Sequence, residues 1–233
     1  MCRLRVAWTD LPPFQQAGPG DTPIGIDIEL VEEAARRVPC AVIWLHTPPT
    51  RAMVMLREGR VDAFPGVART PEREVFGIFS LPLRDGRNTL IVRRGTSGDY
   101  PFNSLTDLAA SSFRLGVLPG VRYSPEYESL LASGALADNL LIVQNGASAL
   151  GMLLRGRLDG FLDGYRVAME RAAKAGEADA IEAHPMPISA HQAFMMFSQS
   201  ANVPADIISR FNAALIGMAA DGTTKRILNK DGS

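Results

Sequence analysis

Apolar positions follow two different periods along the first third of the chain. The segment "RLRVAWTD" is typical of a strand, whereas apolar residues in "DIELVEEAARRV" recur at helical spacing, with Asp27 expected to cap the helix. A strand over 41–45, a helix over 49–58 ended by Gly59 and a short strand over 61–67 follow. This β-α-β-α-β order predicts a parallel sheet with crossover helices.

The second half of the chain repeats this order. The pattern predicts strands over 113–118, 139–143 and 158–162, and helices over 123–131, 147–155 and 165–175. From Pro204, expected at the first position of a helix, helical spacing runs to Lys230, with Gly222 ending the helix. The chain is therefore expected to contain two similar α/β lobes.

One phrase occurs twice, as "MLREGRVDAF" at 55–64 and "MLLRGRLDGF" at 152–161. The copies lie 97 residues apart, which is too long for a solenoid repeat. We interpret them as one helix-to-strand joint used once per lobe, in which Gly59 and Gly156 stop the helix and Asp62 and Asp159 are structural.

Two extended segments, near 89–95 and 188–198, are expected to cross between the lobes. We predict a discontinuous first lobe, residues 1–92 with 190–233, and a second lobe over 93–189. Two lobes joined by two strands make a hinge, and the cleft between them is the expected ligand site.

Composition narrows the function classes. Apolar residues make up 46% of the 233 positions, charged residues 21%, and the formal net charge is −1. No basic run predicts nucleic-acid binding, and no apolar stretch approaches the roughly 18 residues of a membrane span. Met1 stands directly before a strand-like segment, so we expect a mature domain whose leader peptide has been removed.

The two cysteines, Cys2 and Cys40, each precede a β-rich run. If these strands are parallel neighbours, both thiols lie at the same sheet end, and a disulfide can form in an oxidising compartment. Two alternatives stay open: the cysteines are unrelated small apolar residues, or Cys2 is the lipid-carrying first residue of a mature lipoprotein.

Six segments in fixed order resemble the family 3 extracellular solute-binding proteins. They are "LRVAWTDLPPF", "GIDIELVEEAARRV", "LREGRVDAFPGVARTPEREVFGIFSLPL", "RLGVLPG", "LLRGRLDGFLDG" and "AADGTTKRIL". The resemblance implies a two-lobed type II periplasmic-binding fold, in which two hinge strands join two mostly parallel sheets flanked by helices. It also implies a monomeric periplasmic or lipid-anchored protein, without a cofactor, that delivers an amino acid or related solute to an ABC importer.

The most informative segment of this resemblance is "PGVARTPER". In amino-acid-binding relatives the Arg of T-x-x-R grips the ligand carboxylate, which implies this role for Arg73, assisted by backbone amides near Gly66 and Ala68. A planar guanidinium suits the task because it donates two parallel charge-assisted bonds. Ala68 stands where relatives carry a hydroxyl, and Arg69 is either a second anion contact or a solvated surface residue.

The first loop departs from the family pattern D-x-x-[YFW]-x-P-F. Aligning on Pro13 and Phe14 puts Trp8 at the acidic position and Leu11 at the aromatic one, with Asp10 displaced by two residues. Trp8 is either an apolar wall of the site or a core residue. Together with Phe14, these residues complete the expected first-lobe contacts.

In the second lobe, "GVLPGVRY" matches a family turn in which a helix N-terminus offers amides to an anion, implicating Gly120, Val121 and Arg122. Gly164 occupies the position of the relatives' ammonium-binding Asp, and Asp163 is one residue short of it. Arg51, after "HTPPT", either faces the cleft or lies on the surface.

The sequence favours a binding protein over an enzyme. The three histidines are scattered, no cluster has metal-ligand spacing, and no nucleophile elbow is present. Two rival functions remain on the same fold: a periplasmic cyclohexadienyl or arogenate-type dehydratase, with Glu128 or Asp163 as acid, and a ligand-sensing module of a kinase or transcription factor.

Overall fold

The computed structural model of the protein describes residues 2–229. The chain divides into two compact units, of which unit 1 comprises residues up to Asp85 and from His191, and unit 2 comprises Gly86–Ala190. The first nine elements in chain order, as far as the strand in which the chain leaves unit 1, are β1 (Cys2–Trp8), β2 (Gln16–Ala17), β3 (Pro23–Ile24), α1 (Ile26–Arg37), β4 (Cys40–His46), α2 (Pro49–Arg57), β5 (Ala63–Ala68), α3 (Pro71–Glu74) and β6 (Gly77–Arg93).

The remaining elements follow in chain order. They are α4 (Leu105–Ala109), β7 (Leu115–Val117), α5 (Pro125–Ser133), β8 (Leu140–Ile142), α6 (Gly146–Leu154), β9 (Gly160–Gly164), α7 (Tyr165–Lys174), β10 (Ile181–Ala183), β11 (Ser189–Ser198), α8 (Ala205–Ala220) and α9 (Thr223–Leu228). Both unit boundaries fall inside strands, one within β6 and the other within β11. The chain therefore passes between the units only in extended segments.

Unit 1 is built on a sheet in the order β4, β1, β5, β11. Strands β4, β1 and β5 are parallel, as the crossover helices require, and β11 runs antiparallel to β5. One face is covered by a core of Ala7, Ala52, Leu56, Val61, Phe64, Val67 and Met196. Helix α1 packs against α8 and α9.

In unit 2, β9, β7 and β8 are parallel, and β6 pairs antiparallel with β9. Strand β10 pairs antiparallel with β6. Successive side chains of β6 and β9 point to opposite faces, so Leu90 and Leu162 enter one core cluster, whereas Ile91 and Phe161 enter another. The predicted α/β fold with mostly parallel sheets is confirmed.

The repeated phrase forms the same joint in both units, as predicted. Helix α2 is followed by Gly59 and helix α6 by Gly156, with φ of 71° and 69°. Asp62 accepts bonds from the backbone N, Nε and Nη2 of Arg5, at 2.6, 3.2 and 2.7 Å. Asp159 accepts the same three from Arg114, at 2.9, 3.0 and 2.6 Å. The structural interpretation of both aspartates is confirmed.

Cys2 and Cys40 form a disulfide. They are directly opposite in the parallel β1–β4 register, and their Cα atoms lie 4.6 Å apart. The structure thus favours the disulfide over both alternatives, two unrelated small apolar residues and a lipid-carrying Cys2, because a sulfur in a disulfide cannot also carry a lipid.

Three local expectations about helix ends were wrong. Helix α1 is capped at Gly25, while Asp27 lies buried in its first turn. Helix α5 begins at Pro125 with Ser124 as N-cap, two residues after the predicted start at Tyr123, because the Tyr123 side chain is used in the preceding loop. Pro204 is the N-cap of α8 and not its first residue, and after Gly222 a separate helix, α9, begins.

Within residues 2–229, none of the helices has the length and apolar character needed to cross a bilayer.

Candidate functional site

Arg73 lies where the sequence predicts, in the short helix directly after β5. Thr70 is the N-cap residue of α3 and Pro71 its first residue, so the fixed φ of proline starts the turn that carries Arg73. The half-buried guanidinium donates from Nη1 to the Ala68 carbonyl oxygen at 2.7 Å. This bond orients Arg73 against the carboxyl end of β5, where parallel strands of α/β proteins present ligand-binding groups.

Gly66, four residues before Thr70, lies against a buried polar network that sequence reasoning missed. Its φ is 78°, and a Cβ there would lie 2.7 Å from Asp27 Oδ2 and 2.8 Å from Gln15 Nε2. Gln15 donates from Nε2 to Asp27 Oδ2 and to the Pro65 carbonyl, both at 3.1 Å, and accepts from the Thr9 amide. Gln15 thus ties the first loop to the end of β5.

Asp27 and Arg84 form a buried ion pair at the centre of this network. Arg84 Nε and Nη2 donate to the carboxylate at 2.6 and 3.1 Å, and the side chains are 0% and 5% exposed. The Arg84 guanidinium also stacks 3.2 Å from the centroid of the Phe14 ring. Phe14 therefore packs against a buried cation of the protein itself.

The pKa of half-buried His191 is lowered by burial, and the nearby charge of Arg84 lowers it further.

The other first-unit candidates separate into core and surface. Trp8 is 3% exposed, inside the core, with its ring 4.3 Å from that of His46. Asp10 is exposed, and its Oδ2 lies 3.0 Å from His46 Nε2. Leu11 is half-buried and bridges Gln15. The structure thus favours the core interpretation of Trp8.

The two remaining arginines of unit 1 are exposed. Arg69 pairs through Nε with Glu74, and Arg51 lies on the first turn of α2. The surface interpretation of each fits this placement.

In unit 2, Gly120, Val121 and Arg122 lie in the loop before α5 and not in its first turn. Gly120 has a φ of 74°, and Val121 and Arg122 are exposed. The loop is anchored by Tyr123, whose buried hydroxyl accepts from the Leu118 amide at 2.8 Å. Burial raises the pKa of Tyr123, so the phenol stays protonated at physiological pH. These three residues therefore lie in a loop, and not at the helix N-terminus where the resemblance places them.

Asp163 is held by partners within unit 2. Its Oδ1 accepts from the Gly164 amide at 2.8 Å and its Oδ2 from Arg171 Nη1 at 2.5 Å. The side chain is 10% exposed. Asp163 lies at the carboxyl end of β9, one residue before the N-cap of α7, so its position in the sheet fits the prediction although its charge is already paired.

An open groove of about 460 Å³ in unit 2 also escaped sequence reasoning. Its lining comes from Arg87–Thr89 on β6 and from residues 183–190, between β10 and β11. Asn88 donates from Nδ2 to the Tyr123 carbonyl oxygen and to Ser189 Oγ, which stabilises the strand pair along the groove. None of the predicted site residues lines it.

Among residues 2–229, no group of three or more His, Cys, Asp or Glu side chains is placed to hold a metal ion. The predicted candidates offer guanidinium groups, backbone amides and paired carboxylates. This chemistry suits binding of an organic anion.

Comparison with known proteins adds a family and a fold. Residues 4–231 match the family described as bacterial extracellular solute-binding proteins, family 3. A search of curated proteins finds no match. A histidine kinase sensor domain with similarity to periplasmic binding proteins is a structural neighbour, with a TM-score of 0.78, 20% identity and coverage of 97% of this chain and 94% of that one.

Two further solved structures are similar over almost the whole chain. One is an amino acid ABC transporter substrate-binding protein from Streptococcus pneumoniae bound to L-arginine, with a TM-score of 0.75, 21% identity and coverage of 98% and 92%. The other is an ancestral amino acid-binding protein described as a precursor of cyclohexadienyl dehydratase, with a TM-score of 0.75, 23% identity and coverage of 98% and 94%. At these identities the likeness is one of fold.

Proposed function

Because the chain belongs to the family 3 bacterial extracellular solute-binding proteins, we propose that it captures a small carboxylate-bearing ligand. The chain crosses from one unit to the other in the strands β6 and β11. The observation that carries the proposal is Arg73, held by its bond to Ala68 at the carboxyl end of β5.

In this mechanism the ligand carboxylate accepts two parallel bonds from Arg73 and further bonds from backbone amides after Gly66. A guanidinium is suited to this role because it stays charged and presents a fixed planar fork. The loop 120–122 of unit 2 supplies further candidate contacts through its backbone amides and Arg122.

A thermal-shift screen tests the ligand assignment. Amino acids, polyamines and organic acids are screened against the wild type, Arg73→Ala and Arg73→Lys, with Arg210→Ala as an exposed control on α8. A ligand at one hundred times its Kd stabilises the wild type by about 2.7 kcal/mol.

We expect Arg73→Ala to lose the shift, Arg73→Lys to keep part of it, and Arg210→Ala to match the wild type. The unliganded melting temperatures serve as the folding control. An undiminished shift in Arg73→Ala would show that the carboxylate is held elsewhere.

The bound form is delivered to a membrane ABC importer, in a periplasmic or lipid-anchored extracellular setting. The Cys2–Cys40 disulfide supports an oxidising compartment. The test is ligand-dependent stimulation of the importer's ATPase activity by this protein in proteoliposomes. We expect the wild type to stimulate the activity and Arg73→Ala to fail at the same ligand concentration.

A sensing role is the second candidate function. The similarity to a histidine kinase sensor domain covers 97% of this chain, so the fold alone serves sensors as well as transporters. An enzymatic role is the third, and incubation with prephenate and arogenate tests it. We expect this protein to leave both compounds unchanged. Turnover of either compound would contradict the binding proposal and show that the protein is a dehydratase.

A further inference from the structure

Asp163, the acidic candidate of unit 2, already has a cationic partner in its own unit. Its Oδ1 accepts from the Gly164 amide and its Oδ2 from Arg171. An ammonium group placed beside this side chain would share a carboxylate whose charge Arg171 already balances, and which is 10% exposed. Such a carboxylate offsets the cost of removing water from the ammonium less than an unpaired one would.

The pairing of Asp163 with Arg171 is built into the packing of unit 2. Gly146, the first residue of α6, has no side chain, and a Cβ there would lie 2.1 Å from Arg171 Cζ. The Arg171 side chain crosses this space and is 22% exposed. Only a glycine at 146 leaves Arg171 in the position from which it reaches Asp163.

Two carboxylates near the unit 1 candidates also have partners. Asp10 lies on the surface against His46, and Glu74 pairs with Arg69. The first-loop position at which an acidic side chain would project is filled by Trp8, which is in the core. Arg51 and Arg69 lie on the surface, so the guanidinium candidates that remain are Arg73 and Arg122. The acidic candidates are Asp10, which lies on the surface beside His46, and Asp163, whose carboxylate is paired with Arg171.

From this charge arrangement we infer that the ligand is a mono- or dicarboxylic acid without an α-ammonium group. The inference rests on the proposed function, because it refines the chemistry of the same site. The guanidinium groups and amides fit an anion at one or both ends, whereas Asp163, already balanced by Arg171, offers an ammonium group little net attraction.

Position 164 offers a direct way to reverse this selectivity. Gly164 has a φ of −63°, and an added Cβ would meet Val167 Cγ2 at 3.5 Å, an ordinary contact. The residue is the N-cap of α7 and makes no side-chain cap bond, so Asp and Asn are both compatible with the helix start. Gly164→Asp adds a carboxylate beside Asp163, and Gly164→Asn is its uncharged control.

Calorimetric titration with matched pairs of compounds tests the inference. The pairs are succinate and L-aspartate, glutarate and L-glutamate, 4-methylvalerate and L-leucine, and 3-phenylpropionate and L-phenylalanine. Within each pair the members differ in the α-ammonium group. We expect at least one deaminated member to bind the wild type at least tenfold more tightly than its amino acid partner.

In Gly164→Asp the preference within that pair is expected to shift toward the amino acid by at least tenfold, whereas Gly164→Asn keeps the wild-type preference. An amino acid that binds the wild type as tightly as its deaminated partner overturns the inference and leaves the proposed function standing. If neither member of any pair binds, the proposed capture of a small carboxylate fails, and the inference with it. A preference unmoved by Gly164→Asp contradicts the placement of the missing charge at the end of β9.

Discussion

Asp62 and Asp159 show how a single residue can fix the joint between a helix and the following strand. Each carboxylate accepts from the backbone amide, Nε and Nη2 of one arginine, which is Arg5 in β1 or Arg114 directly before β7. The carbonyl of the same arginine accepts from the aspartate amide, at 2.8 Å in unit 1 and 3.0 Å in unit 2. Side chain and backbone together therefore fix the register at which the new strand enters the sheet.

Replacement of Asp159 by Asn tests this role. The variant keeps the shape but loses the charge-assisted bonds to Arg114, so we expect the free energy of unfolding to fall by about 1–2 kcal/mol at neutral pH. This figure is kept low because Arg114 is half exposed and its charge is screened. Urea denaturation measures the difference, and Asp179→Asn, at an exposed carboxylate 3.7 Å from Arg94, is the control with no expected change.

The difference in the free energy of unfolding between wild type and Asp159→Asn should also depend on pH. Burial acts to raise the pKa of Asp159, but the bonds from Arg114 outweigh it and hold the pKa below the usual value. Since the folded pKa is the lower one, the carboxylate contributes its full stability above the unfolded pKa of about 3.9 and loses it as pH falls through the folded value. The stability gap between wild type and Asp159→Asn should therefore narrow in acid. A gap that is unchanged at pH 3 would contradict the assignment.

At the scale of elements, the two glycines that end α2 and α6 have equal backbone conformations but different surroundings. A Cβ at Gly59 would lie 2.9 Å from the carbonyl carbon and oxygen of Ser200, whereas nothing lies within 4 Å of a Cβ at Gly156. Both positions have positive φ, so any side chain there meets the same backbone strain.

We therefore expect Gly156→Ala to lower the free energy of unfolding by about 1–2 kcal/mol, the cost of the left-handed conformation alone. Gly59→Ala should cost at least about 1 kcal/mol more, because the Ser200 backbone must also move. Chemical denaturation of the two variants compares them directly. An equal loss of unfolding free energy in the two variants would show that the backbone around Ser200 moves away from the new side chain without a measurable loss of stability.

The sequence predicted the order and type of the main elements because apolar periodicity and glycine stops are local signals. The joint after α2 and α6 followed from them, whereas the disulfide between Cys2 and Cys40 was one of several alternatives that the sequence left open. Asp27 was misjudged as a cap because its partner, Arg84, is 57 residues away and carries no local signal. The start of α5 was misplaced because the Tyr123 hydroxyl is committed to Leu118.

Site prediction met the same limit. Arg73 was named as a candidate from the T-x-x-R pattern of the family, and its place in the short helix after β5 agrees with the turn residues Thr70 and Pro71. The pairing of Asp163 was not predicted, because it depends on Arg171, on a later helix, and on the absence of a side chain at Gly146. The sequence pattern shows which residue lies at the end of β9, but it does not show whether the charge of that residue is paired, because the partner lies elsewhere in the chain.

At the scale of the whole molecule, the disulfide belongs to unit 1 alone. Unit 2 has two core clusters of its own, one around Leu90 and Leu162 and one around Ile91 and Phe161. The bond links Cys2 and Cys40 across a separation of 38 residues, so it limits only the part of the unfolded chain that contains β1, α1 and β4. Loss of the disulfide should therefore lower the stability of unit 1 and leave that of unit 2 unchanged.

We expect the double variant Cys2→Ser/Cys40→Ser to lower the stability of unit 1 by about 4 kcal/mol, the loop-closure entropy for a loop of this length. Hydrogen exchange followed by mass spectrometry checks where the loss falls. Protection should decrease in β1, α1 and β4, while the unit 2 strands β7 and β9 keep wild-type protection. Wild type treated with dithiothreitol should reproduce this pattern. A uniform loss across both units would show instead that they unfold as one cooperative body, since independent cores predict a local effect.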